Sequence, residues 1–504
     1  MNHREKINIL LIHADQHRAD CLGTYGNPDI RTPHIDALAA AGVRYANSFC
    51  PYPVCTPSRY SLLCGRYVHE HRGWTNHCTL APEFPTFPRL LRDDGYATRA
   101  VGKMHFTPTY LDVGFDAMTL AEQDGPGRWD DDYHRELRTA GLADVNDLED
   151  QLREYRRRAR PEYWTSFGAM PSNLPEPWHT TTWIGDRAVD AVKRWEGGGN
   201  LLMVGFVKPH HPFDPPLNRY DAYDPDRLTL PPGWTPQCFP HDLRIHGGYF
   251  PHEQLTETAL RRVVACYYAT IEHLDEQVGR MTAALKQKGL YDNTLIIYTS
   301  DHGEYMGFHH LLLKGNHLYD PLVKVPLIIK YPGSAAGNAA PSATSETALV
   351  NNIDLAPTIL AQAGVASAPE MHGRNLAASD IGHDVVFCEL LRGGLIMART
   401  HAHKLILAKE QDYKLFFDLE KDPLEMENRA EDPAYQDETD FLTNAINQWR
   451  PADTPAEVYL DEDVPVINQP NVPPRDNSHR PEIIAWYDAK MKALNPDASS
   501  RPNR

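Results

Sequence analysis

Four apolar runs along this chain each end directly in a cluster of polar residues. The runs occupy residues 7–12, 95–102, 201–207 and 294–300, and helical patterns such as residues 256–288 separate them. This alternation predicts a mostly parallel sheet with helices on both faces. In open sheets of this kind, ligands bind outside the carboxyl ends of the strands. We therefore expect the four polar clusters to form one site, although they are far apart in the sequence.

The first and fourth clusters contain residue types that bind divalent metal ions. Asp15 and Gln16 follow the first run, and Asp301 and His302 follow the fourth. Two carboxylates, an amide oxygen and an imidazole suit a hard or borderline ion such as calcium, magnesium or manganese. The set has too few nitrogens, and no pair of thiolates, for a structural zinc site. The sequence therefore predicts a site for one divalent ion of the oxygen-binding kind.

The second and third clusters and a later lysine supply cationic side chains, namely Lys103, His105, Lys208, His210 and Lys314. Their N–H groups can bind an anion, and a histidine can also transfer a proton. A single cluster of this kind is more often a turn or a helix cap, so the prediction rests on all four together. A metal ion and several cations around one cavity indicate transfer of a phosphoryl or sulfuryl group.

The candidate nucleophile lies in residues 55–66, which read Cys-Thr-Pro-Ser-Arg-Tyr-Ser-Leu-Leu-Cys-Gly-Arg. Pro57 suits the first position of a helix, so we expect Cys55 just before the helix N-terminus. The helix dipole favours an anion there, and Arg59 would project nearby from the first turn. Taken alone, this placement fits either a reactive thiolate or an inert buried cysteine.

Composition is typical of a soluble globular protein and argues against two classes of partner. Of 504 residues, 41% are hydrophobic and 23% are charged, which allows a large core. The 50 basic and 68 acidic side chains give a net charge of −18, which opposes binding to nucleic acid or to an anionic membrane. No apolar run is long enough for a membrane span or a signal peptide, which predicts a cytoplasmic protein. The eight cysteines form no Cys-x-x-Cys pair, so most are expected to be reduced core thiols.

The pattern of elements divides the chain into three predicted regions. Residues 1–380 form the catalytic domain, with an insertion at about residues 106–190. Residues 381–452 contain short strands and hairpins, which predict an antiparallel subdomain. Residues 453–504 are polar but carry scattered apolar side chains, and we expect them to form an arm. The arm either covers its own chain or crosses to a second subunit in a homo-oligomer.

The motif at residues 55–66 resembles that of a known family. Cys-x-Pro-Ser-Arg followed by Leu-Leu and Gly-Arg is similar to the signature of the type I sulfatases, members of the alkaline phosphatase superfamily. The resemblance covers nearly the whole chain, at Asp15-Gln16, residues 32–39, 102–105, 208–210 and 300–304, and Lys314 with residues 325–329. It implies an α/β fold with a large mixed, mostly parallel sheet between helices, as in alkaline phosphatase, and a smaller C-terminal antiparallel α+β subdomain.

The resemblance also implies a chemistry for Cys55. In that family a formylglycine-generating enzyme oxidises the cysteine to formylglycine, whose hydrate carries two hydroxyl groups. One hydroxyl of the modified Cys55 would be activated on the metal and would attack sulfur. The implied metal ligands are Asp15, Gln16, the modified Cys55, Asp301 and His302. Calcium is the first expectation for the ion and manganese the second.

The remaining roles follow from the same resemblance. Arg59, Lys103 and Lys314 would bind the transferred group and the diol. His210 would be the acid that protonates the leaving alcohol, and His105 would be the base that lets the second hydroxyl expel sulfate. Lys208 is a further candidate for substrate binding.

Three features depart from the sulfatase pattern. Many sulfatases carry two adjacent aspartates after the first strand, whereas Asp15-Gln16 resembles the phosphonate monoester hydrolases. Cys64 stands where threonine is usual. Asn76 lies close to where those hydrolases place a substrate-binding asparagine, while Lys103-Met104-His105 looks like the sulfatases proper.

Three functions remain open on the sequence. The first is hydrolysis of small sulfate monoesters, either aryl or carbohydrate esters. The second is hydrolysis of phosphonate monoesters or phosphodiesters at the same site, with promiscuity between the two, because sulfate and phosphonate monoesters carry the same single negative charge. The third is a binding protein of this fold without activity, which is disfavoured because every site position holds a competent residue type.

Overall fold

The computed structural model of the chain describes residues 6–123, 131–151, 153–156, 158–243, 250–315, 317–333, 346–378, 381–408, 413–450 and 480–494. Its strands are β1 (Asn8–Asp15), β2 (Val43–Arg44), β3 (Asn47–Phe49), β4 (Ala97–Gly102), β5 (Ala117–Leu120), β6 (Asn200–Pro209), β7 (Thr294–Ser300), β8 (Leu327–Lys330), β9 (Leu349–Asn351), β10 (Val386–Leu390), β11 (Leu395–Arg399), β12 (His403–Ala408) and β13 (Tyr413–Asp418).

The four predicted apolar runs are neighbours in one seven-stranded sheet, whose order is β2-β8-β7-β1-β6-β4-β5. All adjacent strands from β7 to β5 are parallel, whereas β8 and β2 continue the sheet in antiparallel pairs. The prediction of a mixed, mostly parallel sheet is therefore confirmed. β1 lies at its centre and is buried along its whole length. β1 also extends beyond the predicted run to Asp15, because His13 and Ala14 still pair with Thr299 and Ser300 of β7.

The helices are α1 (Pro33–Ala40), α2 (Cys55–Cys64), α3 (Val68–His71), α4 (Phe87–Asp93), α5 (Asp132–Thr139), α6 (Val145–Gln151), α7 (Arg153–Arg156), α8 (Pro161–Thr165), α9 (Thr180–Lys193), α10 (Pro240–Leu243), α11 (Glu257–Gln287), α12 (Asp320–Val323), α13 (Leu355–Ala363), α14 (Gln436–Trp449) and α15 (Arg480–Leu494). The long predicted helix is α11, and the Thr256 hydroxyl caps it by accepting the N–H of Ala259.

Helices cover both faces of the large sheet, as predicted. One face packs against α1, α9 and α11, whose buried apolar residues include Leu38, Ile184 and Ile271. The other face packs against α2, α4 and α13. Burying one leucine-sized side chain stabilises a fold by on the order of 2 kcal/mol. The many apolar side chains buried in these two layers therefore supply most of the stabilisation. All eight cysteines are free and seven are buried, as expected for core thiols.

The C-terminal strands β10 to β13 form the predicted antiparallel sheet, in sequential order. α14 supplies the helical part of the predicted α+β subdomain and covers one face of this sheet through Leu442 and Ile446. The other face packs on Phe49 and on α12 of the catalytic region. The subdomain is therefore a small α+β layer attached to the large sheet.

The range predicted as an insertion, residues 106–190, also contributes to the central layers. β5 pairs with β4 at the edge of the large sheet, and α9 packs against β6 and α11. Of the predicted arm, the structure describes α15, and residues 451–479 and 495–504 lie outside the described residues. Ile483 and Tyr487 of α15 pack on Val145 and Leu148 of α6. Assembly into an oligomer stays a prediction.

One further property concerns membranes. Among the described residues, no helix combines the length and the apolar character needed to cross a membrane. The predicted cytoplasmic location stays a prediction.

Candidate active site

Two carboxylates and an imidazole meet Cys55 at the carboxyl ends of β1 and β7. β1 ends with Asp15, and Asp301 and His302 directly follow β7. One ligand-type atom from each of these four residues lies within 4.8 Å of the others, and all four are buried. The Cys55 Sγ atom is 3.4 Å from His302 Nε2 and 3.6 Å from Asp15 Oδ1. The structure thus brings the first and fourth predicted clusters together around the candidate nucleophile.

α2 places Cys55 at its first residue. The prediction that the helix begins at Pro57 is wrong by two residues, since Val54 is the extended N-cap. A proline is tolerated anywhere in the first turn, because the N–H groups there have no partner within the helix. The main-chain N–H of Thr56 donates to Asn76 Oδ1 at 3.2 Å, and the Ser58 hydroxyl donates to the Asp301 carbonyl at 2.7 Å. These contacts fix the helix start beside the carboxylates.

Arg59 and Lys103 neutralise the two carboxylates of the site. Arg59 Nε donates to Asp301 Oδ2 at 3.0 Å, and Arg59 Nη2 lies 3.1 Å from Asp15 Oδ2. Lys103 Nζ lies 2.7 Å from the same Asp15 oxygen. Burial by itself raises the pKa of Asp15, but Lys103, His210 and Arg59 overcome it and hold this pKa well below its usual range. Asp15 is therefore ionised at any physiological pH.

The Lys314 ammonium lies between the nucleophile and two imidazoles. Its Nζ is 3.0 Å from Cys55 Sγ, 3.0 Å from His210 Nε2 and 3.2 Å from His302 Nε2. Burial lowers the pKa of His210 well below its usual value, and the Lys314 charge lowers it further. His210 Nδ1 lies 2.6 Å from the His211 carbonyl, to which it can donate, so its Nε2 faces the site.

The buried residues around Cys55 fit a divalent metal ion. Gln16 is in the left-handed region at φ 61, and its main-chain N–H donates to Asp301 Oδ1 at 3.1 Å. Its side-chain oxygen Oε1 is buried and has no hydrogen-bond partner among the described residues. An unsatisfied oxygen beside two carboxylates and an imidazole is the arrangement expected of a cation site that favours oxygen. The donor set matches the sequence prediction, and the ligand roles stay predictions.

Of three other predicted site residues, two lie beside the start of α2 and one lies in a separate loop. Asn76 lies beside the start of α2, where it accepts the Thr56 N–H described above. The His105 carbonyl accepts from the Thr56 hydroxyl at 2.7 Å, which places His105 next to the same helix start. Lys208 is held within its own loop, because its ammonium pairs with Asp214 and donates to the Pro212 carbonyl at 2.7 Å. Among the described contacts, Lys208 is thus not brought to Cys55.

Gln123 is a member of the site that the sequence analysis missed. Its Oε1 accepts from Lys103 Nζ at 2.6 Å, and its Nε2 donates to the His211 carbonyl at 2.9 Å. It therefore links the cation beside Asp15 to the loop that carries His210. Gln123 follows the short edge strand β5, which was not predicted. Had β5 been predicted, Gln123 would have been recognised as a further polar residue just after the carboxyl end of a strand of the sheet.

Glu122 makes the stability of the fold depend on pH. Burial, and next the nearby Asp131, raise the pKa of Glu122 from 4.5 to about 7, although Met104 and His105 donate main-chain N–H groups to it. The protonated form is thus favoured in the folded state. Its stabilising contribution is complete below pH 4.5 and is lost as pH rises through about 7.

Glu122→Gln should therefore become more stable relative to the wild type as pH rises. The amide keeps an oxygen acceptor but has no charge to bury, so the difference in unfolding free energy should grow by on the order of 3 kcal/mol between a pH below 4.5 and a pH above about 7. Urea unfolding of both proteins across this range measures it. Parallel stability curves for the two proteins would contradict the assignment.

Comparisons with known proteins agree with this geometry. A family model described as Sulfatase matches residues 7–365. The arylsulfatase of Clostridium perfringens is 28% identical over 471 residues, which cover 88% of this chain and 94% of that protein. The multifunctional alkaline phosphatase superfamily protein PehA of Trinickia caryophylli is 28% identical and covers 88% of this chain and 95% of its own length.

Among solved structures, the phosphonate monoester hydrolase of Agrobacterium radiobacter has a similar fold. It superposes with a TM-score of 0.72 at 23% identity, over 88% of this chain and 95% of that chain. The family model spans more than half of the sequence and includes Cys55 and all the residues gathered around it. The chain therefore belongs to the sulfatase family of the alkaline phosphatase superfamily, as its signature predicted.

Proposed function

We propose that this protein hydrolyses sulfate monoesters at the site around Cys55. The observation that carries the proposal is the buried cluster of Asp15, Cys55, Asp301 and His302, with the Lys314 ammonium 3.0 Å from the Cys55 sulfur. A nucleophile, a cation site and a positive charge for an anionic group thus meet at one point. The arylsulfatase of Clostridium perfringens, with 94% of its length matched, supports the same substrate class.

The metal ligands in this proposal are Asp15, Asp301, His302, the Gln16 amide oxygen and the modified residue 55. When bound, the ion supplies positive charge that favours the ionised nucleophile and the developing charge of the transferred group. Calcium is the first candidate because four of the groups offer oxygen. Manganese is the second, because a neutral amide replaces a carboxylate and an imidazole is present.

Cys55 acts in this proposal after conversion to formylglycine by a formylglycine-generating enzyme. The sulfur atom then marks the position of a hydroxyl of the aldehyde hydrate. That hydroxyl oxygen forms a bond to the sulfur of the substrate ester, and the bond from this sulfur to the leaving oxygen breaks. Arg59, Lys103 and Lys314 stabilise the negative charge on the transferred group, because Arg59 and Lys103 are buried, Lys314 is partly buried, and all three bring positive charge where water is largely excluded.

His210 and His105 each move one proton in the cycle, and the proton of the attacking hydroxyl leaves to solvent when the nucleophile ionises. The protonated form of His210 is placed to protonate the leaving alcohol, because its Nε2 faces Lys314 and the nucleophile. The negative charge of the bound ester favours this form, in opposition to the burial and the Lys314 charge that lower its pKa. His105 would then take the proton of the second hydroxyl. The electron pair left on that oxygen restores the carbonyl group, and the carbon–oxygen bond to sulfate breaks. Water adds to the aldehyde and restores the hydrate, so the cycle needs no second attack at sulfur.

The alternative function is hydrolysis of phosphonate monoesters or phosphodiesters at the same site. Two observations favour it as a second activity: Gln16 rather than a second aspartate follows Asp15, and Asn76 lies at the start of α2 beside Cys55. A single negative charge on each substrate lets one set of cations bind both. We expect 4-nitrophenyl sulfate to have the highest kcat/KM in a panel with phenylphosphonate and bis(4-nitrophenyl) phosphate esters. A higher value for either phosphorus ester would reverse the assignment.

The role of His210 has its own test. His210→Ala should reduce kcat about 10²- to 10⁴-fold for sulfate esters of alkyl alcohols, because their leaving oxygen needs a proton. Esters of 4-nitrophenol should lose much less, since that leaving group departs as an anion. Measuring kcat for both ester types in the wild type and the variant gives the comparison. Equal losses for the two ester types would exclude His210 as the acid.

A further inference from the structure

The side-chain amide of Gln16 has one favoured orientation in this site. Its Nε2 faces two acceptors, the Glu304 carboxylate and His211 Nδ1, the latter at 3.4 Å. Its Oε1 is buried without a hydrogen-bond partner among the described residues. If the amide were turned over, Oε1 would face the Glu304 carboxylate, and two acceptors would repel each other. The observed orientation leaves the oxygen, which is the atom that binds hard cations, for the ion.

Glu304 is prepared as an acceptor by the loop that follows β7. Its Oε1 accepts the main-chain N–H of Met306 at 3.0 Å and that of Leu313. Its Oε2 accepts from Gln16. All the contacts of this carboxylate therefore favour its acting as an acceptor toward Gln16.

His211 supplies the second acceptor because Asp150 decides which ring nitrogen carries the proton. His211 Nε2 lies 3.0 Å from Asp150 Oδ2, and an ionised carboxylate can only accept. Nε2 therefore carries the proton, which leaves the lone pair of Nδ1 for Gln16. Asp150 is buried in α6 and also accepts from the Tyr163 hydroxyl. The His211 ring is further held by stacking on His210, with ring centroids 4.1 Å apart.

We propose that Glu304, His211 and Asp150 are positioning residues that orient the Gln16 amide for metal binding. Glu304 acts directly, and Asp150 acts through His211. The inference rests on the proposed function only in requiring a divalent ion beside Cys55. It also gives α6, which lies within the predicted insertion, a part in the metal site of the catalytic domain.

The test measures metal binding to the full-length protein without substrate. Metal-free protein is titrated with calcium and, separately, with manganese by calorimetry. Glu304→Gln should weaken binding about 10- to 100-fold, because its amide keeps an oxygen for the two main-chain N–H groups and turns its own NH₂ toward Gln16. His211→Phe keeps the ring but removes the acceptor, and should weaken binding about 10-fold. Thermal melting of the metal-free variants checks that each one is folded.

Two matched controls separate orientation from general damage. His273→Phe makes the same change at a buried histidine of α11, whose Nε2 pairs with Thr182 at 2.9 Å, and should leave metal affinity within about 2-fold. Asp150→Asn retains an oxygen acceptor for His211 and should keep the affinity, whereas Asp150→Leu should weaken it as much as His211→Phe does. Equal affinities for Asp150→Asn and Asp150→Leu would remove Asp150 from the proposal.

A double-mutant cycle gives the decisive result. In a Gln16→Ala background, Glu304→Gln should have no further effect on metal affinity, because there is no amide left to orient. A loss that persists in that background would overturn the proposal, as would wild-type affinity in Glu304→Gln itself. A wild-type protein that binds neither ion would overturn the proposed metal site and this inference together. A wild type that binds, with variants that match it, overturns the inference alone.

Discussion

Cys55→Ala is expected to reduce turnover of sulfate esters about 10⁴-fold or more, because the variant has no atom that can attack sulfur. The fold should survive the change, since the residue removed is small and the rest of α2 is unaltered. Steady-state kinetics with 4-nitrophenyl sulfate measures the loss. Circular dichroism and thermal melting test whether the protein remains folded.

Cys64→Ala is the matched control for this experiment. Cys64 is the last residue of the same helix and is also buried, and burial raises the pKa of its thiol to about 12. It is therefore a packing residue, and its replacement should cost about 1 kcal/mol of stability while retaining activity. Loss of activity in Cys64→Ala equal to that in Cys55→Ala would mean that damage to α2, rather than loss of the nucleophile, explains both.

The chemical state of residue 55 is measured in the same samples. Peptide mass mapping of active protein should show residue 55 about 18 mass units lighter than cysteine, as expected for formylglycine. A thiol cannot form the diol that expels sulfate in the proposed cycle. Full activity in protein that carries only unmodified Cys55 would overturn the mechanism.

Loss of the metal ion is the second change with a large expected effect. Asp301→Asn should lose the bound ion and nearly all activity, because it removes one of two carboxylates from a buried site. The variant also removes a charge that pairs with Arg59 at 2.9 Å, so both effects act in the same direction. Elemental analysis of the purified protein and steady-state kinetics give the two readouts.

Asp275→Asn is a suitable control for this variant. Asp275 is a buried carboxylate of α11 that accepts the main-chain N–H groups of His34 and Ile35, at 3.1 and 2.7 Å, and it makes no contact with the Cys55 cluster among the described residues. Its metal content and activity should match those of the wild type.

Chelation of wild-type protein should abolish activity, and calcium or manganese should restore it. Full activity in protein without any bound divalent ion would refute the metal assignment.

Local pattern was sufficient to predict four neighbouring strands of the large sheet and the place of the site. The runs that became β1, β6 and β7 are short and apolar, the run that became β4 is less so, and their alternation with helical patterns favours buried parallel strands. Once the strands are parallel, their carboxyl ends share one edge of the sheet. The meeting of Asp15, His210 and Asp301 therefore followed from sequence order and sheet geometry, before any contact was known.

Only the tertiary structure decided which polar atoms pair within that site. Lys208 and Lys103 look alike in sequence, yet Lys208 pairs with Asp214 in its own loop, whereas Lys103 lies 2.7 Å from Asp15. Gln123 enters the site because β5 pairs with β4, and Gln16 presents its oxygen because Glu304, 288 residues later, takes its N–H. A buried polar atom takes the complementary partner that packing brings within about 3 Å. Contacts between residues far apart in the sequence decide which partner comes within that distance. A local sequence pattern cannot predict those contacts.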